Sequence, residues 1–323
     1  MSKPGEHKTV QVRILAYAQE IGWRFVPRAE AEKRRGFDPD GVTPKERARP
    51  ASFYFGDLLH TKVRAFNPKY KEVEGALVGE FQRLNANIAG NRDFLNFLHN
   101  QGKFFCAEEN RELDLTLIDY SDLARPRQQW RNVYEITEEF YVHNGRHGTR
   151  EDVVFLINGI PVLVIECKNA TKDEAIALGV DQIRRYHAEM PEVMVPEMLF
   201  TATEAISFAY GVTWNTVRRN IFRWKHEEVG NLEAKVKSFC AVPQLLRVLK
   251  DFILFAEKEG IADIEELNKI LERAYWSAAA RRRFPKARHV APIKVRTCLI
   301  TPSAASCRRT PNAPGHRAGE PAL

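Results

Sequence analysis

Asp152, Glu166 and Lys168 have the types and spacing that suit chemistry on a phosphodiester. Such hydrolysis needs a divalent cation held by hard oxygen ligands, usually one or two carboxylates completed by water and substrate phosphate. The cation lowers the pKa of a bound water and polarises the phosphoryl oxygen, while a nearby ammonium orients that water or steadies the developing charge. Glu166 and Lys168 are two apart, so on a strand they share a face. Asp152 precedes them across Asn158-Gly159, the strongest short hairpin signal a sequence offers. A Glu-x-Lys at a strand end is ordinary in itself. This one stands out because the three charges flank a strand pair whose middle is wholly apolar, where burying charge without a counter-ion is costly.

The turn decides whether Asp152 joins the other two. A two-residue Asn158-Gly159 loop sets Ile157 opposite Ile160 and turns Asp152 away from Glu166. A three-residue loop, Ile157-Asn158-Gly159 with its glycine left-handed in a bulge, sets Asp152 opposite Val164 and diagonal to Glu166, at roughly 7 Å between Cβ atoms. Only that register, or an equivalent bulge, gathers the three charges on one face.

The elements needed to hold this hairpin are legible on both sides of it. Apolar periodicity predicts a helix over roughly Val10 to Ile21, followed by a charged stretch, Ala29 to Pro50, read as a surface loop or a partner-facing segment. Asn67-Pro68 reads as a helix start, with Val73, Leu77 and Phe81 at spacing four, and a second short helix falls around Asn91 to Asn100. Alternating segments, Leu113 to Ile118 and Asn132 to Ile136, open a sheet. The hairpin strands, 152–157 and 161–168, are apolar on both faces, as central strands are. Thr171-Lys172-Asp173-Glu174 has capping-box spacing before a helix to about Met190, and strands follow at Met198 to Thr203 and Ile206 to Tyr210. A helical piece spans about Val242 to Glu272, after which the composition becomes Arg, Pro, Ala and Ser without periodicity, as disordered segments do. The order is mixed α/β, and no period of 20 to 50 residues repeats.

Composition narrows the class. A 44% hydrophobic share suits a globular core, and 323 residues suit one large domain or two ordinary ones. The net charge of +7 is located mainly at the C-terminal end: beyond residue 275 ten Arg and Lys face the single acid Glu320, so the remainder is slightly acidic. Total charge therefore says little about a nucleic-acid surface in the core. Five scattered cysteines without a C-x-x-C pair argue against a disulfide framework or a thiolate zinc site, and favour a reducing compartment. No apolar run is long enough to span a bilayer and no signal peptide is legible, so the expectation is a soluble, cytoplasmic protein.

The run EDVVFLINGIPVLVIECKN, Glu151 to Asn169, closely resembles the nuclease hairpin in the N-terminal domain of type I restriction R subunits, members of the PD-(D/E)xK superfamily. Gln182-Ile-Arg-Arg-Tyr186 in the following helix matches the Q-x-x-x-Y motif of that lineage, its Gln and Tyr sharing a face at i and i+4. Glu151 stands where the family often has proline. The likeness extends more loosely from about Ile14 to Lys225. It implies a restriction-endonuclease-like α/β core, a mixed central sheet flanked by helices with a helical N-terminal elaboration. It implies Asp152 and Glu166 as Mg²⁺ ligands, Lys168 as the catalytic lysine, and Gln182 and Tyr186 as residues positioning the site or DNA. It also implies double-stranded DNA as substrate, and methylation and specificity subunits as partners. ATP is expected only with a motor domain, and no G-x-x-x-x-G-K-[ST] loop occurs here.

The expected organisation is an N-terminal helical and charged elaboration over 1–66, the endonuclease-like core over 67–225, a helical linker over 226–272, and a basic tail over 273–323. That tail reads as disordered or as the non-native end of a truncated or frame-shifted product. Glu80 is a candidate further acid for the metal site, and Arg184 and Arg185 are candidate phosphate contacts with a solvated face as the alternative reading. His143 and His147 read as loop residues rather than a zinc pair, since Gly145 lies between them. Cys167 is expected on the opposite face, in the core. Two other readings stand beside the nuclease: a catalytically silent fragment, and a non-catalytic DNA-binding or assembly module.

Overall fold

The computed structural model describes residues 10–48, 51–169, 174–204, 206–224, 231–253, 255–257 and 298–300. In chain order the first elements are α1 (Val12–Glu20), β1 (Arg24–Phe25), α2 (Arg28–Arg34), α3 (Pro44–Arg47), α4 (Gly56–Phe66), α5 (Ala76–Gln82) and α6 (Ile88–Leu98). The strands β2 (Lys103–Cys106), β3 (Arg111–Asp114), β4 (Tyr134–His143), β5 (Gly148–Ile157) and β6 (Ile160–Cys167) lead to α7 (Ala175–Glu189). After it come β7 (Leu199–Thr203), β8 (Phe208–Val212), β9 (Phe222–Arg223), α8 (Leu232–Phe239), α9 (Val242–Arg247), β10 (Phe255–Glu257) and β11 (Cys298–Ile300).

A seven-stranded mixed sheet runs in the order β1-β4-β5-β6-β7-β8-β9, parallel at β1/β4 and β6/β7 and antiparallel elsewhere. The β5–β6 hairpin is central, as its unbroken apolar sequence requires. One face packs Val153, Phe155 and Ile165 with residues of α1, α4, α6, α8 and α9, among them Ile14, Leu59, Phe94, Val236 and Leu245. The other packs Val154, Leu156 and Val164 against Val180 and Ile183 of α7 and Ala31 of α2. This is the α/β architecture expected.

Several elements differ from the pattern reading, for physical reasons. The charged stretch after residue 28 is not a loop at its start: it forms α2, and its charges are structural. Glu135, fully buried inside β4, is met by Arg34 at 3.0 Å and by Arg24. Glu32 is met by Arg28 at 2.7 Å and Arg47 at 2.6 Å. Asn67 ends α4 rather than starting a helix, because its side chain bonds the Val63 and Thr116 carbonyls and accepts from the Thr116 N–H; α5 begins nine residues later, leaving Val73 exposed. The β2–β3 hairpin forms its own two-stranded sheet.

The N-terminal elaboration also contributes β1 to the main sheet. At the other end, α8 and α9 seat on the same core, with Trp23 Nε1 donating to the Cys240 carbonyl at 2.8 Å. The helix expected to reach Glu272 gives way by Phe252, and Phe255–Glu257 pairs in parallel with Cys298–Ile300. The rest of the expected tail, and Thr171 to Asp173 of the expected capping box, lie outside the described residues; α7 itself starts after a left-handed Glu174.

Candidate active site

The hairpin turn settles the geometry. Asn158 (φ 54°) and Gly159 (φ 82°) are both left-handed, as a two-residue type I′ turn demands, and Ile157 pairs with Ile160. The loop is thus the shorter of the two expected. The register nevertheless shifts by one residue between Phe155↔Leu163 and Leu156↔Pro161, a bulge in β6 that turns the strand beyond it. From there Val153 faces Ile165, the last pair of the ladder, and the same register carried one step further sets Asp152 toward Glu166 rather than diagonal to it. The equivalent-bulge alternative is the one realised.

Asn158 is fully buried because its amide replaces missing strand partners, donating to the Leu117 carbonyl and Asn132 Oδ1 at 2.8 Å each and accepting from the Val133 N–H. Lys168 reaches the site past Gly179 of α7, where a Cβ would sit 2.8 Å from the Ala202 Cβ. The absence of a side chain there lets α7 lie close on β7.

The three charged groups converge. Lys168 Nζ lies 3.3 Å from Glu166 Oε2 and 3.9 Å from Asp152 Oδ2, and donates to the Cys167 carbonyl at 3.1 Å. Asp152 Oδ2 accepts from the Cys167 N–H at 2.8 Å. Glu166 is fully buried, with one oxygen, Oε1, lacking a hydrogen-bond partner among the described residues. Burial, reinforced by the Asp152 charge, pushes the Glu166 carboxyl well above the usual range; the Lys168 cation opposes this. Burial also raises Asp152, against the pull of the Cys167 N–H and Lys168. Two desolvated carboxylates side by side, one with a free buried oxygen, fit a hard divalent cation that would lower both. Among the described residues no three His, Cys, Asp or Glu groups are clustered closely enough to hold a cation by themselves, so water and substrate oxygens would complete any such sphere.

Behind the pair lies a second buried charge group that sequence reading missed. Glu151 is fully buried, as is Glu197 just before β7. Burial lifts the Glu151 carboxyl to about 7 and the Glu197 carboxyl well above its usual range, each raising the cost of ionising the other. Both face Arg35, whose guanidinium lies 3.6 Å from the Phe140 ring centroid. Glu151 is thus a core charge, not only a variation in the chain leading into Asp152; no local pattern signals its partners, 116 and 46 residues away.

Tyr186 is fully buried; its hydroxyl donates to the Arg150 carbonyl at 2.5 Å and accepts from Gln182 Nε2. The motif therefore ties α7 to β5 two residues before Asp152. Arg184 binds Asp181 at 2.6 Å and the Thr216 carbonyl, and Arg185 pairs with Glu189 at 3.8 Å, so both cations are engaged along the helix surface. Glu80 is not brought to the site: it lies on exposed α5 surface, paired with Arg83 at 3.7 Å. His143 and His147 sit at the β4–β5 turn, where His143 Nδ1 accepts from the Gly145 N–H. Cys167 is buried on the opposite face, as expected.

Residues 3–217 match the family described as type I restriction enzyme R protein N terminus. The chain belongs to that family. The N-terminal R-protein domain is also similar to two proteins of Methanocaldococcus jannaschii named as type I restriction enzyme endonuclease subunits. One, MjaVIIP, is 27% identical over 169 residues, covering 49% of this chain and 15% of the relative. The other, MjaIXP, is 20% identical over 177 residues, covering 48% of this chain and 17% of the relative. The chain thus spans a small part of these relatives' length. Among the described residues no helix of the domain is long and apolar enough to cross a membrane.

Proposed function

We propose that this chain is a Mg²⁺-dependent endonuclease domain of a type I restriction system, cleaving double-stranded DNA with a metal-activated water. The observation that carries the reading is the meeting of Asp152, Glu166 and Lys168 on one face of a central hairpin, with Glu166 Oε1 buried and unpartnered among the described residues. In this reading Asp152 and Glu166 hold the cation, which when bound supplies Lewis acidity and a hydroxide nucleophile. Lys168 places its ammonium beside both carboxylates, where it orients the attacking water and neutralises charge developing on the phosphate. The Cys167 N–H fixes one Asp152 oxygen, and Tyr186 fixes the β5 main chain beside it. In this reading specificity and methylation subunits direct the domain to its DNA, ATP-driven translocation is the work of a motor domain, and the setting is the cytoplasm.

The test is nicking and linearisation of supercoiled plasmid with Mg²⁺ or Mn²⁺. The expected outcome is cleavage by the native chain and a loss of about 10²-fold or more in Asp152→Ala and Lys168→Ala, each with native circular dichroism. Cleavage that persists in both variants would overturn the assignment.

A further inference from the structure

We infer that Gln11 is a positioning residue of this site, holding the Asp152 main chain where the sheet itself does not. The inference rests on the metal-site reading above. Asp152 falls in a gap in the ladders on both sides. The β4–β5 pairs include Glu138↔Val153 and Phe140↔Glu151 and skip the step between, where Glu139 is left-handed (φ 52°); the β5–β6 pairs stop at Val153↔Ile165. A buried carbonyl at such a gap needs another donor.

Gln11 supplies it. Its Nε2 lies 2.8 Å from the Asp152 carbonyl oxygen, and 3.4 Å from both Glu138 Oε2 and Glu139 Oε1. The side chain is 2% exposed, so this amide does not exchange its partners for bulk water. It stands immediately before α1, whose Ile14, Leu15 and Ala18 are buried in the core, so the donor is carried on a fixed platform.

Fixing the carbonyl fixes the peptide plane at residue 152. The Cys167 N–H fixes Oδ2 from the other side. Together the two bonds leave the carboxylate little freedom to turn from Glu166 and Lys168. Contacts of this kind, one step removed from a ligand, typically change metal affinity when they are deleted. The same amide brings a donor to the Glu138 and Glu139 carboxylates beside Asp152.

The experiment is calorimetric titration of the purified chain with Mn²⁺ alone, without DNA. Gln11→Met keeps the volume and removes the donor; Gln11→Ala is the second variant should Met fail to fold. Gln19→Ala, which removes a part-buried amide-to-carbonyl bond within the same helix, is the control. Asp152→Ala identifies the binding heat belonging to the site. The expected result is Mn²⁺ affinity lowered on the order of tenfold to a hundredfold in the Gln11 variants, with unchanged circular dichroism, and native affinity in Gln19→Ala. A role in packing alone would leave Gln11→Met at native affinity, and that result overturns the inference while leaving the metal site standing. A native chain that takes up no Mn²⁺ overturns the metal-site reading and this inference with it.

Discussion

Tyr186 shows how much burial decides at the scale of one residue. Its place in a Q-x-x-x-Y pattern allowed two roles, contact with DNA or support of the site. A side chain with no solvent exposure whose hydroxyl is occupied by the Arg150 carbonyl and Gln182 has no face left for a phosphate. Burial and the nearby carboxylates Glu166, Glu151 and Asp152 also hold its phenol above the ordinary range, so it stays a neutral donor. Tyr186→Phe should therefore act through the scaffold. It strands the Arg150 carbonyl and the Gln182 amide, a cost of about 1–3 kcal/mol in urea unfolding. DNA affinity of the folded variant, measured by fluorescence anisotropy in Ca²⁺, should equal that of the parent. Weakened DNA binding at unchanged stability would contradict the scaffold role.

At the scale of the element, the β5–β6 hairpin depends on its two-residue turn. Gly159 combines a left-handed backbone with an approach so close that a Cβ would lie 2.5 Å from the Phe55 carbonyl oxygen, itself the helix-leading residue of α4. Gly159→Ala should lower stability by roughly 1–3 kcal/mol, read as a fall in the urea midpoint. A midpoint within a few tenths of a kcal/mol of native would show that α4 yields easily and the turn is not held as described. The hairpin, α7, β7 and β8 were legible because their signals are local: Asn-Gly, period, apolar runs. The bulge at Val162 was not, because the sequence there is uniformly apolar and either register buries it equally well. Only the charged end distinguishes the registers, since Asp152 must meet Glu166 or be buried alone. The α2 region misled for the converse reason. Its anchors are arginines, and the carboxylates they answer, Glu135 and Glu151, lie about a hundred residues later. Gln11 carried no signal at all, being 141 residues from the carbonyl it serves.

For the whole molecule, the buried group of Arg35, Glu151 and Glu197 links the N-terminal helices, the central hairpin and the start of β7. It therefore couples folding to pH. Burial lifts the Glu151 carboxyl from 4.5 to about 7 and lifts Glu197 well above its ordinary range. A carboxyl raised in the folded state binds its proton more tightly there than in the unfolded chain. Its stabilising contribution is complete below about 4.5 and is lost as pH rises through the folded value. For Glu151 alone the span corresponds to on the order of 3 kcal/mol, and Glu197 extends the loss to higher pH. The expected behaviour is a urea midpoint that declines between pH 5 and pH 8. Glu197→Gln keeps the shape while removing one titrating group, so its midpoint should decline less over the same range and exceed the native value at pH 8. A slope equal to the native one would locate the pH dependence elsewhere. A steeper slope would mean that Arg35 stabilises an ionised Glu197 directly.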